Sequence, residues 1–122
     1  MFNNVQELEV LLTSALEVTA SLGFVARPGR TFAIVNGFKC ACPVAALAVM
    51  KKVLPLTPPR EFNDPTLTDV LSKLHDVCNI SDEQKSQLRN VAYGFDGGRP
   101  ERGSQDAVYA DLGRKLRPAR AT

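Results

Sequence analysis

Apolar side chains and one threonine recur at alternating spacings of three and four near the start of the chain: Val5, Leu8, Leu12, Ala15, Thr19 and Leu22, with Leu11 and Leu16 widening the stripe. That period predicts an amphipathic helix over residues 4–22, closed by Gly23. The same spacing suits a coiled-coil seam, but so short a run fits a core-facing helix better.

The pattern then turns to short apolar runs divided by turn signals. Phe24–Arg27 leads to Pro28-Gly29, Arg30–Val35 leads to Asn36-Gly37, and Phe38–Ala41 follows. Asn-Gly between apolar runs is the strongest short hairpin signal, because both turn positions need positive φ. A type I′ turn there pairs Val35 with Phe38 and Ala33 with Cys40, which puts Phe32 and Ile34 on the opposite face. Pro-Gly favours a type II turn, which makes a looser first connection. The expectation is a three-stranded antiparallel meander over 24–27, 30–35 and 38–41. Its middle strand is apolar on both faces, so helices or a second copy of the chain should cover both sides.

Cys42 and Pro43 open the next helix as N-cap and first helical residue. Its predicted stripe is Val44, Leu47, Ala48, Val53 and Leu54, and it must stop before Pro55. Thr57-Pro58-Pro59 reads as linker. Asp64 is the expected cap of a third helix with Pro65 at its first position, carrying Leu67, Val70, Leu71, Leu74 and Cys78. Ser81 and Gln84 form a capping box ahead of a fourth, with Leu88, Val91, Ala92 and Phe95 inward. The Gly94–Pro100 stretch breaks it, and Gly103-Ser104 caps a last helix carrying Val108, Tyr109, Leu112 and Leu116. The fold class predicted is α+β: about five helices around the meander, one domain over residues 1–117, then a disordered basic tail over 118–122.

Composition narrows the classes. The 122 residues are 44% hydrophobic and 23% charged, ordinary for a globular chain. No run approaches the roughly 20 apolar residues that a membrane span needs. Three cysteines are an odd count, and the start has no basic region ahead of an apolar one, so a reducing, cytoplasmic setting is expected. The net charge of +2 is uneven: residues 1–26 sum to −3 and residues 98–122 to +3. This allows an acidic partner for the tail, or a head-to-tail self-contact.

Two constellations could carry chemistry. Cys42 sits at a helix start, where backbone N–H groups favour a thiolate. His75 is the one histidine, with Asp76 or Asp96 available to orient it, so Cys42, His75 and Asp96 are the candidate set for a thiol nucleophile. The simpler reading makes Cys42 a buried cap. Cys40, Cys42, His75 and Cys78 could form a tetrahedral zinc set, but Cys-x-Cys on a strand points its two sulfurs to opposite faces. No cofactor is therefore expected. Arg114, Lys115, Arg117 and Arg120 could meet an acidic surface or phosphates, although basic residues in a last helical turn also complement its dipole. The 94–98 glycine loop follows a helix and lacks a P-loop lysine.

The function expected from these features is a small non-catalytic protein-binding module: an adaptor, inhibitor or regulator. It would act through apolar surface (Phe32 and Ile34) and the basic C-terminal cluster. Its partner would be another protein or a second copy forming a homodimer. The alternatives are a thiol-dependent or zinc-stabilised domain and a weak nucleic-acid binder.

Overall fold

The computed structural model describes residues 1–60, 63, 65–97 and 104–117; the expected tail over 118–122, with Arg120, and the caps Asp64 and Gly103 lie outside these. Helix α1 (Val5–Ser21) begins where the Asn4 side chain accepts the Glu7 N–H at 2.9 Å. It buries Leu8, Leu12, Ala15 and Thr19, as its period requires. The buried Thr19 hydroxyl donates to the Ala15 carbonyl at 2.9 Å, so burying it leaves no unpaired polar group.

Strands β1 (Phe24–Val25), β2 (Phe32–Val35) and β3 (Phe38–Ala41) form one sheet in the order β1-β3-β2. The hairpin follows the expected register, with Val35 opposite Phe38 and Ala33 opposite Cys40. Asn36 and Gly37 take φ of 52° and 81° in its turn. The meander is not antiparallel throughout. β1 pairs with β3 in parallel, Phe24 beside Lys39 and Val25 beside Cys40, so β3, not β2, is the middle strand. The cause lies in the Pro28-Gly29 turn. Arg30 donates to the Arg27 carbonyl at 3.3 Å and Gly29 has φ +85°, a geometry whose twist does not lead two strands into a hairpin. Asp96 holds that turn by accepting the Gly29 N–H at 2.8 Å. The chain therefore crosses from β1 to the opposite edge of the sheet, where it forms β2, and the hairpin brings β3 back between the two. On the outer side of β2, Ile34 donates to the Pro59 carbonyl at 2.8 Å and bridges to Arg60. This segment covers one sheet edge, and β1 forms the other.

The sheet has two unlike faces. Phe24, Phe32 and Ala41 join the main core, with the two phenyl rings stacked 6.0 Å apart. Ala33, Val35 and Cys40 form a small second cluster on the reverse. Helix α2 (Pro43–Met50) is buried on all sides from Pro43 to Val49, not on a stripe alone. It touches α1, β3, α3 (Leu67–Cys78) and α4 (Asp82–Phe95), and its Ala45, Ala46 and Ala48 let those neighbours approach. It ends at Met50, ahead of the expected Val53 and Leu54. Val53 donates to the Ala48 carbonyl and Lys52 to that of Val49, a Schellman closure with Lys52 left-handed at φ 62°.

Helix α3 starts later than Asp64-Pro65 suggested. Its N-cap is Thr66, whose hydroxyl accepts from Asp69 while the Asp69 carboxylate accepts from Thr66. That reciprocal box satisfies two end N–H groups, which outweighs a proline start. The Ser81–Gln84 box on α4 forms as expected.

Helices α4 and α5 (Ser104–Lys115) pack backbone to backbone. Gly94 of α4 lies against the main chain of Ala110, and Gly113 of α5 against that of Val91 and Phe95. Gly94 is thus part of α4, which continues to Phe95. The main core draws side chains from all five helices and the sheet.

Candidate functional site

The cysteines separate across the sheet. Cys40 lies in the small reverse cluster and Cys42 in the main core, as strand alternation demands. The Cys42 sulfur accepts the Ala45 N–H at 3.4 Å and is 3% exposed, a cap inside the core. His75 faces the Ile80 carbonyl through Nδ1 at 2.7 Å. A carbonyl only accepts, so Nδ1 carries the proton and the ring locks the link between α3 and α4. Asp96 is committed to the Gly29 turn. Each member of the candidate thiol set therefore has a local structural partner. Among the described residues no three His, Cys, Asp or Glu side chains gather closely enough to hold a metal ion, so Cys40, Cys42, His75 and Cys78 do not assemble as a zinc set. None of the cysteines is in a disulfide, and Cys78 alone is half-buried while the others are buried. Alkylation of the native protein at neutral pH, read by peptide mass, is expected to modify Cys78 first. Cys40 and Cys42 should react only at the rate of unfolding. A Cys42 that labels as fast as Cys78 would contradict the buried cap.

Two members of the basic C-terminal cluster are engaged within the chain, while Arg117 is exposed and Arg120 lies outside the described residues. Lys115 bonds both Glu9 oxygens at 2.8–2.9 Å, and Arg114 pairs with Asp111. The acidic beginning and basic end of the chain thus meet in one molecule, across the seam between α1 and α5. Phe32 is 1% exposed, and Ile34 is half-buried with its backbone paired to the 59–60 segment, so the most open apolar surface lies elsewhere.

Along the α1–α5 seam the surface opens in hollows. One of about 300 Å³ has a mixed lining, with Asn3, Asn4, Gln6, Glu83, Gln87 and Tyr109 beside Val5 and Val108. Burial pushes the Tyr109 phenol up from its ordinary value, and the Glu83 carboxylate adds to the shift. The fold therefore favours the neutral phenol. Its share of stability is present below the ordinary tyrosine range and lost as pH climbs through the raised value. Beyond the Glu9–Lys115 bridge the seam becomes apolar. A hollow of about 430 Å³ is lined by Leu16, Thr19, Ala20, Phe24, Val25, Ala26 and Leu116. On the reverse face of the same strand a second hollow, about 300 Å³, is lined by Val25, Arg27 and Phe38. Phe38 is 58% exposed and Val25 39%, a large aromatic and a β-branched residue side by side in water.

The segment that supplies the sheet is one-sided in charge, although the exposed Glu17 follows Leu16 on α1 and Asp96 sits at the Gly29 turn. Residues 18–60 contain six basic side chains and no carboxylate. Sums over longer windows hide this, because acidic residues of the later helices cancel it. Lys39 places its Nζ 4.3 Å from the Phe24 ring centroid and donates to the Leu56 carbonyl at 3.1 Å. Phe38 was legible in the sequence only as a strand residue. Its exposure follows from its place beside the hairpin turn, on the face that the helices leave uncovered.

No protein-family model, curated protein or solved structure matches the chain. Among the described residues no helix is long and apolar enough to cross a membrane.

Proposed function

We propose that the protein is a non-catalytic binding module that takes a protein partner on the surface around β1. The observation that carries this reading is the pair of apolar hollows meeting at Val25, one on each face of the strand, with Phe38 standing exposed beside them. Contiguous exposed apolar surface costs solubility, and such patches mark sites of association. An aromatic beside a hollow is the usual anchor of an interface. The groups first suspected of chemistry support the same reading: Cys42, His75 and Asp96 each stabilise a local turn or helix end.

The test is a phage-displayed random peptide selection on the folded protein, with the binders measured again on two variants. Phe38→Asp is expected to weaken them at least about tenfold, because a charge would sit where an apolar contact forms. Val10→Asp, at a position 68% exposed on α1, is expected to leave them unchanged. A selection whose binders all ignore Phe38→Asp would overturn the assignment.

A further inference from the structure

We infer that β1 receives an extended segment of a partner protein as a fourth strand, and that this segment is apolar at its centre and acidic at its flanks. The inference rests on the binding role proposed above and specifies its geometry and chemistry.

Three observations lead to it. First, β1 is the open edge of the sheet. β2 is covered by the 59–60 segment, while Phe24–Ala26 make no backbone hydrogen bond to any described residue outside the β1–β3 ladder. Alternate residues of a paired strand turn their N–H and C=O away from the ladder, so such an edge templates another strand about 4.8 Å away. Second, the hollows lie where the side chains of an added strand would go. Successive side chains of an extended chain point to opposite faces. One set would enter the hollow of Leu16, Ala20 and Leu116, and the other would lie against Val25 and Phe38. Main-chain bonds would hold the segment and the hollows would select its residues, as in other strand-addition complexes. Third, the charge fixes the flanks. Arg27 lines one hollow and Lys39 stands over Phe24. The 18–60 stretch carries six basic side chains and no carboxylate, which outnumber the adjacent Glu17 of α1 and the Asp96 carboxylate at the Gly29 turn. Charge complementarity therefore favours glutamate or aspartate beside the apolar centre. A nucleic acid would satisfy the charge but not the two apolar hollows or the open main-chain groups. β1 spans only two residues, so main-chain bonds are few and the hollows must supply much of the affinity.

The experiment uses the full chain and a seven-residue probe, blocked at both ends, with three central valines and two glutamates on each side. Its binding is followed by NMR titration or fluorescence anisotropy. Three changes are expected to weaken binding by about tenfold or more each: lysines in place of the glutamates, N-methylation of the central valine amide, and Phe38→Asp on the protein. Arg27→Glu should reverse the preference between the glutamate and lysine probes. Circular dichroism melting of each variant controls for folding, which exposed positions leave intact. If only Phe38→Asp matters, while charge and N-methylation do not, the strand geometry is overturned and the binding surface stands. If Phe38→Asp also has no effect, both fall. No saturable binding at millimolar probe overturns the inference, as does an oligothymidylate that binds more tightly than the probe in a Phe38-dependent way.

Discussion

Replacing Gly94 with alanine is expected to lower the melting temperature by roughly 10 °C, although helix propensity alone points the other way. Alanine in a helix interior is favoured over glycine by about 1 kcal/mol, and Gly94 lies inside α4. A Cβ there would overlap the Ala110 carbonyl oxygen and come within 2.6 Å of its carbon and 2.8 Å of its Cα. These are main-chain atoms of α5, so no rotamer change can make room. The helices must separate and give up the packing between Val91, Phe95 and Leu112 on the two sides of the seam. Overpacking of this kind costs about 3 kcal/mol, which exceeds the propensity gain and corresponds to a shift of several degrees per kcal/mol in a domain of this size. Gly113→Ala meets the main chain of Val91 and Phe95 in the same way and should cost a similar amount. The double variant should cost less than the sum, because either change alone already opens the crossing. Thermal melting by circular dichroism checks this; a rise in melting temperature for Gly94→Ala would refute the close approach.

Truncating Leu47 to alanine should remove about 3 kcal/mol of stability, from the roughly 2–5 kcal/mol that such cavities cost. Leu47 is fully buried in the middle of α2, and α2 is held between α1, α3, α4 and β3. Each neighbour is anchored by other contacts, so the hole cannot close by the shift of one element. A domain with a total stability of about 5–15 kcal/mol would lose a fifth of it or more. In urea the midpoint should fall with the slope unchanged. Val10→Ala, at an exposed position on α1, should stay within about 0.5 kcal/mol of the parent. Equal losses at the two positions would show that α2 is not the centre of the core.

The parts of the fold that were legible in the sequence are those fixed by neighbours along the chain. The α1 stripe, the Asn36-Gly37 hairpin with its register, the Cys42-Pro43 helix start and the Ser81–Gln84 box each depend on residues a few positions apart. The rest depends on contacts between distant segments. Pro28-Gly29 announces a turn that does not close a hairpin, but where β1 ends up also depends on the Asp96 carboxylate, far along the chain, and on the free side of β3. Gly94 has the look of a helix breaker until Ala110 is placed against it; a glycine inside an apolar helical period was the one available hint of a close helix crossing. The Thr66-x-x-Asp69 box was present in the sequence and masked by the stronger-looking Asp64-Pro65. At the candidate site, the cysteines and His75 drew notice by residue type, whereas Val25 and Phe38 are ordinary strand residues. What distinguishes them is the absence of a helix over their face, a property of the assembled layers and not of any local pattern.

The parallel pairing of β1 also has a consequence for local opening. A hairpin closes over a two-residue turn, whereas β1 pairs with β3 across the whole of β2 and two connections, a longer loop to close. Its two residues contribute little pairing of their own. β1 is therefore the part of the sheet that detaches at least cost, with amide protons that exchange sooner than those of the hairpin. The molecule keeps its most easily loosened strand at the margin where it would meet a partner, and an incoming strand would slow that exchange by clamping β1 between two neighbours.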